Sequence, residues 1–174
     1  MGYEIIKDCF PNYLENLDIQ IEGKKVILFF KTKRTECKCP TCGGVTTKYR
    51  NYYNRKIQDL PIIDKQLFLN LRLKKFQCEN PNCERNYFTE TIDDLAKKGS
   101  RRTNRLDELL TRLALINSAE EGARICKKQM IDISGDTLLR LSKKWDLKID
   151  KEKIIAVGVD DFALKKNIDM EQLL

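Results

Sequence analysis

Cys39-Pro40-Thr41-Cys42-Gly43-Gly44 and Cys78-Glu79-Asn80-Pro81-Asn82-Cys83 are the two stretches whose reading decides the fold of this chain. Two thiolates three positions apart grip one ion only if the backbone turns sharply between and after them. Proline and paired glycines supply that turn in the first stretch, glycine by tolerating positive φ. The Glu-Asn-Pro-Asn insert supplies it in the second. Each stretch is a knuckle, and Cys39, Cys42, Cys78 and Cys83 together complete the tetrahedral four-sulfur shell that structural zinc prefers. A shell of four protein ligands has no open position, so its expected job is to fold the module rather than to catalyse. Cys37, two residues before Cys39, is a competing thiol. Cys9 and Cys126 read as ordinary core residues.

The rest of the composition narrows the alternatives. There are seven cysteines and no histidine among 174 residues. An odd number of cysteines behind an N-terminus without a signal-peptide pattern argues against a disulfide framework. A lone Cys-x-x-Cys is also the pattern of a redox pair, but two pairs with turn-forming inserts at the ends of strand-like segments favour zinc. The absence of histidine removes the usual general base and the second common zinc ligand. No run of eighteen apolar residues occurs, and the longest early one, residues 26–30, is far too short to span a bilayer. The cytoplasm, without membrane partners, is the expected location.

Charge is unevenly placed along the chain. Residues 31–102 carry seventeen basic and eight acidic groups, whereas residues 1–30 carry three and five. A basic middle between near-neutral flanks is the footprint of a phosphate-binding face, and equally of a solvated lysine-rich surface. Arg72, Lys74, Lys75, Arg101 and Arg102 are its candidate DNA contacts, with double-stranded DNA the expected partner.

Between the knuckles lie 35 residues, enough for a strand pair. Residues 65–77 read as one strand, with Leu67, Leu69, Leu71 and Leu73 on one side and Arg72 and Lys74 on the other. After Ser100-Arg101-Arg102-Thr103 the period becomes helical: Leu106, Leu109, Leu110, Leu113 and residues 116–119 form a stripe. A second helix is predicted over residues 118–129, with Ser118 as N-cap and Glu121 completing a capping box. Ala119, Ala123 and Cys126 give it a small-residue face. After a break at residues 131–133 a third helix starts at Ser134. Two short helices joined by a tight turn match a helix-turn-helix, and a plain three-helix bundle is the alternative. In the first case Thr137 and Arg140 face bases or phosphates and Lys143 and Lys144 the DNA backbone, while Leu138, Leu141 and Trp145 pack inward. Residues 154–159 read as a buried strand ending in Asp160-Asp161. A carboxylate there suits a magnesium ligand in phosphoryl transfer, though it is also ordinary turn chemistry.

These pieces occur together in a recognisable order. Cys39-Pro40-Thr41-Cys42-Gly43 is followed by Asp59-Leu60-Pro61, Leu73-Lys74-Lys75-Phe76-Gln77-Cys78, Pro81-Asn82-Cys83-Glu84-Arg85 and Phe88-Thr89-Glu90. Arg102-Thr103, Asp136-Thr137-Leu138-Leu139-Arg140 and Val157-Gly158-Val159-Asp160-Asp161-Phe162-Ala163-Leu164 complete the series. The chain resembles the insertion-sequence transposases of the ISL-three family from about Leu14 to Lys166. The resemblance implies a zinc-binding domain, a helix-turn-helix and a ribonuclease-H-like domain whose Asp-Asp-Glu triad binds Mg2+ in a full-length member. It makes Asp160 the first triad aspartate and Asp161 the second candidate for that role. The family continues into further strands and carboxylates where this sequence has Asn167-Ile168-Asp169-Met170-Glu171-Gln172-Leu173-Leu174, so a truncated transposase is expected, inactive alone. The expected class is α+β: a small β-rich zinc-ribbon-like domain over 1–95, a helix-turn-helix domain over 100–149, and the first strand of an incomplete catalytic domain over 150–174. Its expected role is binding at terminal inverted repeats, as a homodimer or beside a full-length transposase. The rivals are an active enzyme completed by missing sequence or a partner chain, and a zinc-dependent helix-turn-helix transcriptional regulator.

Overall fold

The alternating leucines of residues 65–77 become the centre of a five-stranded sheet in the computed structural model, which describes residues 9–144. Strands β1 (Leu14–Glu22) and β2 (Lys25–Thr32) form an antiparallel hairpin around Gly23, whose φ of 55° is the left-handed conformation that glycine adopts freely. A two-residue pair of strands, β3 (Cys37–Lys38) and β4 (Val45–Thr46), follows as a separate hairpin. Then come the long β5 (Tyr49–Ile62) and β6 (Lys65–Gln77), and the short β7 (Tyr87–Thr89). β6 lies parallel to β2 and antiparallel to β5, giving the order β1-β2-β6-β5. β7 pairs with the last residues of β6, beyond the end of β2.

Leu67, Leu69, Leu71 and Leu73 are all buried and meet Val26, Leu28 and Phe30 of β2 and Ile57 of β5. Ile92, Leu95 and Ala96, from the segment after β7, cover the same face. Each buried leucine contributes about 1.5–3 kcal/mol of transfer free energy, which fixes the register, since a slip of one residue would turn the set to water. Pro61 sits in β5 at a register irregularity between Asp59 and Ile62; β5 is an edge strand, where a missing N–H is tolerated. Cys9 departs from expectation: it is exposed in the turn ahead of β1, because Phe10 and Tyr13 do the packing there, Phe10 against Phe30 at 4.8 Å.

Helices α1 (Asn104–Ile116), α2 (Ala119–Lys128) and α3 (Gly135–Ser142) follow. Their N-caps are Thr103, Ser118 and Ser134, each accepting the backbone N–H three residues on, an interaction worth about 1 kcal/mol apiece. α3 packs on both α1 and α2, around Leu106, Leu110, Cys126, Ile131 and Leu138. The apolar stripe of α1 is narrower than its sequence suggests. Leu109 is part-exposed and Ile116 is 77% exposed, because the inward face runs through Leu106, Leu110 and Leu113 and the helix ends at Ile116. Close packing of α2 depends on Gly122, where a Cβ would stand 2.9 Å from Leu138 Cδ1. α2 stops with Met130 at φ 59°, while Ile131 N–H donates back to Cys126 O at 2.9 Å and Met130 N–H to Lys127 O. That is a Schellman closure with methionine where glycine is usual. Trp145, Asp160, Asp161 and the predicted strand over 154–159 lie outside the described residues.

Candidate metal centre and nucleic-acid interface

The first knuckle is the turn of the β3–β4 hairpin, held by Cys39 N–H donating to Gly44 O at 2.8 Å and Gly43 N–H to Cys39 O at 2.9 Å. The second bridges the end of β6 to β7, with Cys78 N–H donating to Asn86 O at 2.9 Å. Because β7 pairs back onto β6, the two knuckles face one another. Phe76 and Phe88, stacked at 6.0 Å between centroids, form their small apolar base with Cys39. Thr46 Oγ1 and the Lys48 ammonium both donate to the Glu79 carboxylate at 2.9 Å, tying the first hairpin to the second knuckle and holding Glu79 below the usual carboxylate range.

The four sulfurs of Cys39, Cys42, Cys78 and Cys83 lie within 4.8 Å of one another. Cys39–Cys83 is 3.8 Å and Cys42–Cys78 is 3.6 Å. A tetrahedral zinc with bonds of about 2.3 Å requires sulfur–sulfur edges of about 3.8 Å, so the set fits that ion. Backbone amides favour ionisation in the first knuckle: those of Cys42 and Thr41 hold Cys39 down to about 6, and that of Gly44 lowers Cys42. The Asn80 amide favours a thiolate at Cys78, but burial and the neighbouring sulfurs outweigh it and push Cys78 up to about 12. Four sulfurs this close must share protons until a dication lets all of them ionise. Cys37 is not part of the cluster. Burial and the Glu90 carboxylate push its thiol up.

The basic candidates divide into two kinds. Lys74 is half-buried, donating from its ammonium to Arg34 O at 2.6 Å, and Arg102 donates from Nε to Asp107 Oδ1 at 2.5 Å; both charges are engaged inside the fold. Arg72 and Lys75 are exposed on opposite faces of β6, over the Tyr52 and Tyr87 rings at 4.3 and 5.6 Å. Arg101 is exposed in the approach to α1. On α3, Arg140 is exposed and donates to Asp136 O and Thr137 Oγ1, both at 3.3 Å; Lys143 and Lys144 are exposed beyond it. Thr137 is half-buried beside the Ser134 cap.

Two buried carboxylates escaped the sequence reading. Asp59 accepts from Thr103 Oγ1, Arg105 Nε and Arg105 Nη2 and from Leu60 N–H, joining β5 to the start of α1. Glu90 accepts from Thr32 Oγ1 at 2.9 Å and the Lys74 amide at 2.6 Å, closing the sheet behind the metal centre. The only signal for them was their place in short motifs. Among the described residues no helix is long and apolar enough to cross a membrane.

No curated protein and no solved structure matches this chain. Residues 36–83, which contain all four clustered cysteines, match the family model described as the zinc-finger of transposase IS204/IS1001/IS1096/IS1165, and in that segment the chain is similar to these insertion-sequence transposases.

Proposed function

We propose that this protein is a transposase-related DNA-binding protein that recognises the terminal inverted repeats of an insertion sequence, using its zinc module together with α2 and α3 as a helix-turn-helix. The observation that carries this reading is the four-sulfur cluster inside a segment matching a transposase zinc finger, in a chain of net charge +7. The helices support it independently. α3 starts at a capped, exposed end, packs inward through Leu138, and leaves Arg140, Lys143 and Lys144 in water. In a helix-turn-helix that end enters the major groove, where Thr137 and Arg140 read base edges. Arg72, Lys75 and Arg101 contact phosphates, which position the protein without specifying sequence. Zinc holds the module's shape.

The test is selection of preferred duplexes from a random pool by the purified zinc-loaded chain. One sequence should be enriched and should match the ends of an insertion element. Arg140→Ala should lower preference for that sequence over random DNA by about 10–100-fold, the worth of one bidentate base contact. A pool that emerges without enrichment would overturn sequence recognition. Equal losses on selected and random DNA for Arg140→Ala would remove that residue from base reading.

A further inference from the structure

A cleft of about 590 Å³ opens where the zinc module meets β5 and the turn that leads into α1. Its walls come from three parts of the chain. Pro40 and Arg85 belong to the two knuckles, Tyr53 and Arg55 to β5, and Lys98 and Arg101 to the turn. The turn is fixed in place. Arg55 donates from Nη2 to Lys97 O and Ser100 O, both at 2.7 Å, and Ser100 N–H donates to Lys97 O at 3.0 Å. Gly99 takes φ 76° at its tip, so the turn needs no side chain there. Arg85 is fixed from the other side, its backbone N–H donating to Cys83 Sγ at 3.4 Å.

The side chains of Arg85, Lys98 and Arg101 are exposed, and among the described residues none of them pairs with a carboxylate. This contrasts with Arg102 and Arg105, which are neutralised by Asp107 and Asp59. Two carboxylates line the cleft. Glu90 is buried and occupied by Thr32 and the Lys74 amide, which leaves Asp93 as the exposed one. Unpaired cations set at fixed backbone positions around a concave surface concentrate positive potential there, which is what a polyanion selects.

We propose, resting on the DNA-binding reading above, that this cleft seats the phosphodiester backbone of DNA, with Arg85, Lys98 and Arg101 as its phosphate contacts and Arg55 as the positioning residue that holds the turn. The zinc module then contributes to binding directly, through Arg85, as well as by folding.

The experiment measures binding of the zinc-loaded full chain to a short duplex of random sequence by fluorescence anisotropy over a salt series. The triple variant Arg85→Ala, Lys98→Ala, Arg101→Ala should bind at least about ten-fold more weakly at moderate salt. Its log–log salt slope should flatten by about 3, close to one per lost phosphate contact. Lys24→Ala with Lys25→Ala, at the opposite end of β2, should leave the slope near wild type. Asp93→Asn should tighten binding about two-fold or more, a gain that misfolding does not produce. Unchanged affinity and slope in the triple variant, with wild type binding, would overturn the cleft alone. So would a slope reduced as much by the Lys24/Lys25 pair. Failure of the wild type to bind any duplex would overturn the DNA-binding reading and the cleft with it.

Discussion

Asp59 shows how much one side chain decides in this fold. It is fully buried at the end of β5, yet both its oxygens accept, Oδ1 from the Thr103 hydroxyl, Arg105 Nε and the Leu60 amide and Oδ2 from Arg105 Nη2. Gln58 on the same strand bridges to the chain on either side of Arg102, through Gln58 N–H to Arg101 O and Thr103 N–H to Gln58 O, each at 2.9 Å. The sheet and the helices are therefore joined by a short run of polar bonds, with Leu60 reaching into the helical core beside them. Removing one partner of a buried ion pair leaves the other uncompensated, which costs about 3–5 kcal/mol when both are buried. Arg105 is 42% exposed and can turn to water, so Asp59→Ala should cost about 3 kcal/mol, at the lower end of that range. Arg105→Ala should cost at least as much as Asp59→Ala, because it leaves the fully buried carboxylate with only two neutral donors. Urea denaturation of the two variants checks this; a loss below about 1 kcal/mol for Asp59→Ala would mean the junction is not held by this carboxylate.

At the scale of elements, the β5–β6 hairpin carries a local conflict. Ile62 pairs with Lys65, so the turn has only Ile63 and Asp64, and Ile63 stands at φ 55° with 98% of its surface exposed. Two-residue hairpin turns with positive φ at the first position favour glycine. A side chain in the left-handed region costs about 1–2 kcal/mol, and glycine adds back about 0.5–1 kcal/mol of unfolded-state entropy. Ile63→Gly therefore stabilises the protein by up to about 1 kcal/mol, with no burial lost, and should raise Tm by several degrees. A Tm at or below wild type would mean the turn bears no strain. The elements that could be read from sequence were those with strong local rules. The leucines of β6 alternate, and Ser118 and Ser134 cap helices that begin where the periodicity changes. β1 and β5 obey no such rule. As edge strands they expose half or more of their residues, so Tyr49–Ile62 reads as a polar segment interrupted by Pro61, with Ile57 its one fully buried apolar side chain. The four cysteines were legible because metal chemistry imposes their spacing. The cleft was not, since Arg55, Arg85, Lys98 and Arg101 are brought together by β6 pairing with both β5 and β7 and by Arg55 and Gln58 holding the turn to β5.

Over the whole molecule, β6 belongs to two cores at once. Its first part, through Leu73, builds the sheet core with β2 and β5, whereas Phe76 at its end belongs to the thiol cluster with Phe88 and Cys39. The cluster's own apolar base is too small to hold the knuckles together unaided. Structural zinc supplies on the order of 10 kcal/mol in small modules, comparable to the total stability of a domain. Its removal should therefore release the knuckles, while the leucines of β6, which belong to the separate sheet core, keep their partners. Helices α1–α3 are anchored to β5 through Asp59 and Leu60, away from the cluster, and should stay folded. The expected result of chelation is faster hydrogen exchange confined to residues 36–48 and 78–89, with one zinc released per chain and little change in helical circular dichroism. Cys83→Ser should reproduce this pattern without chelator. Because Pro40 and Arg85 form one wall of the basic cleft, the same treatment should weaken binding to random DNA and flatten its salt dependence. Exchange that accelerates throughout β6 and the helices would show that the zinc centre supports the entire fold. Unchanged exchange in the knuckles would show that the four thiols hold their places without metal, and would remove zinc from the account of this protein.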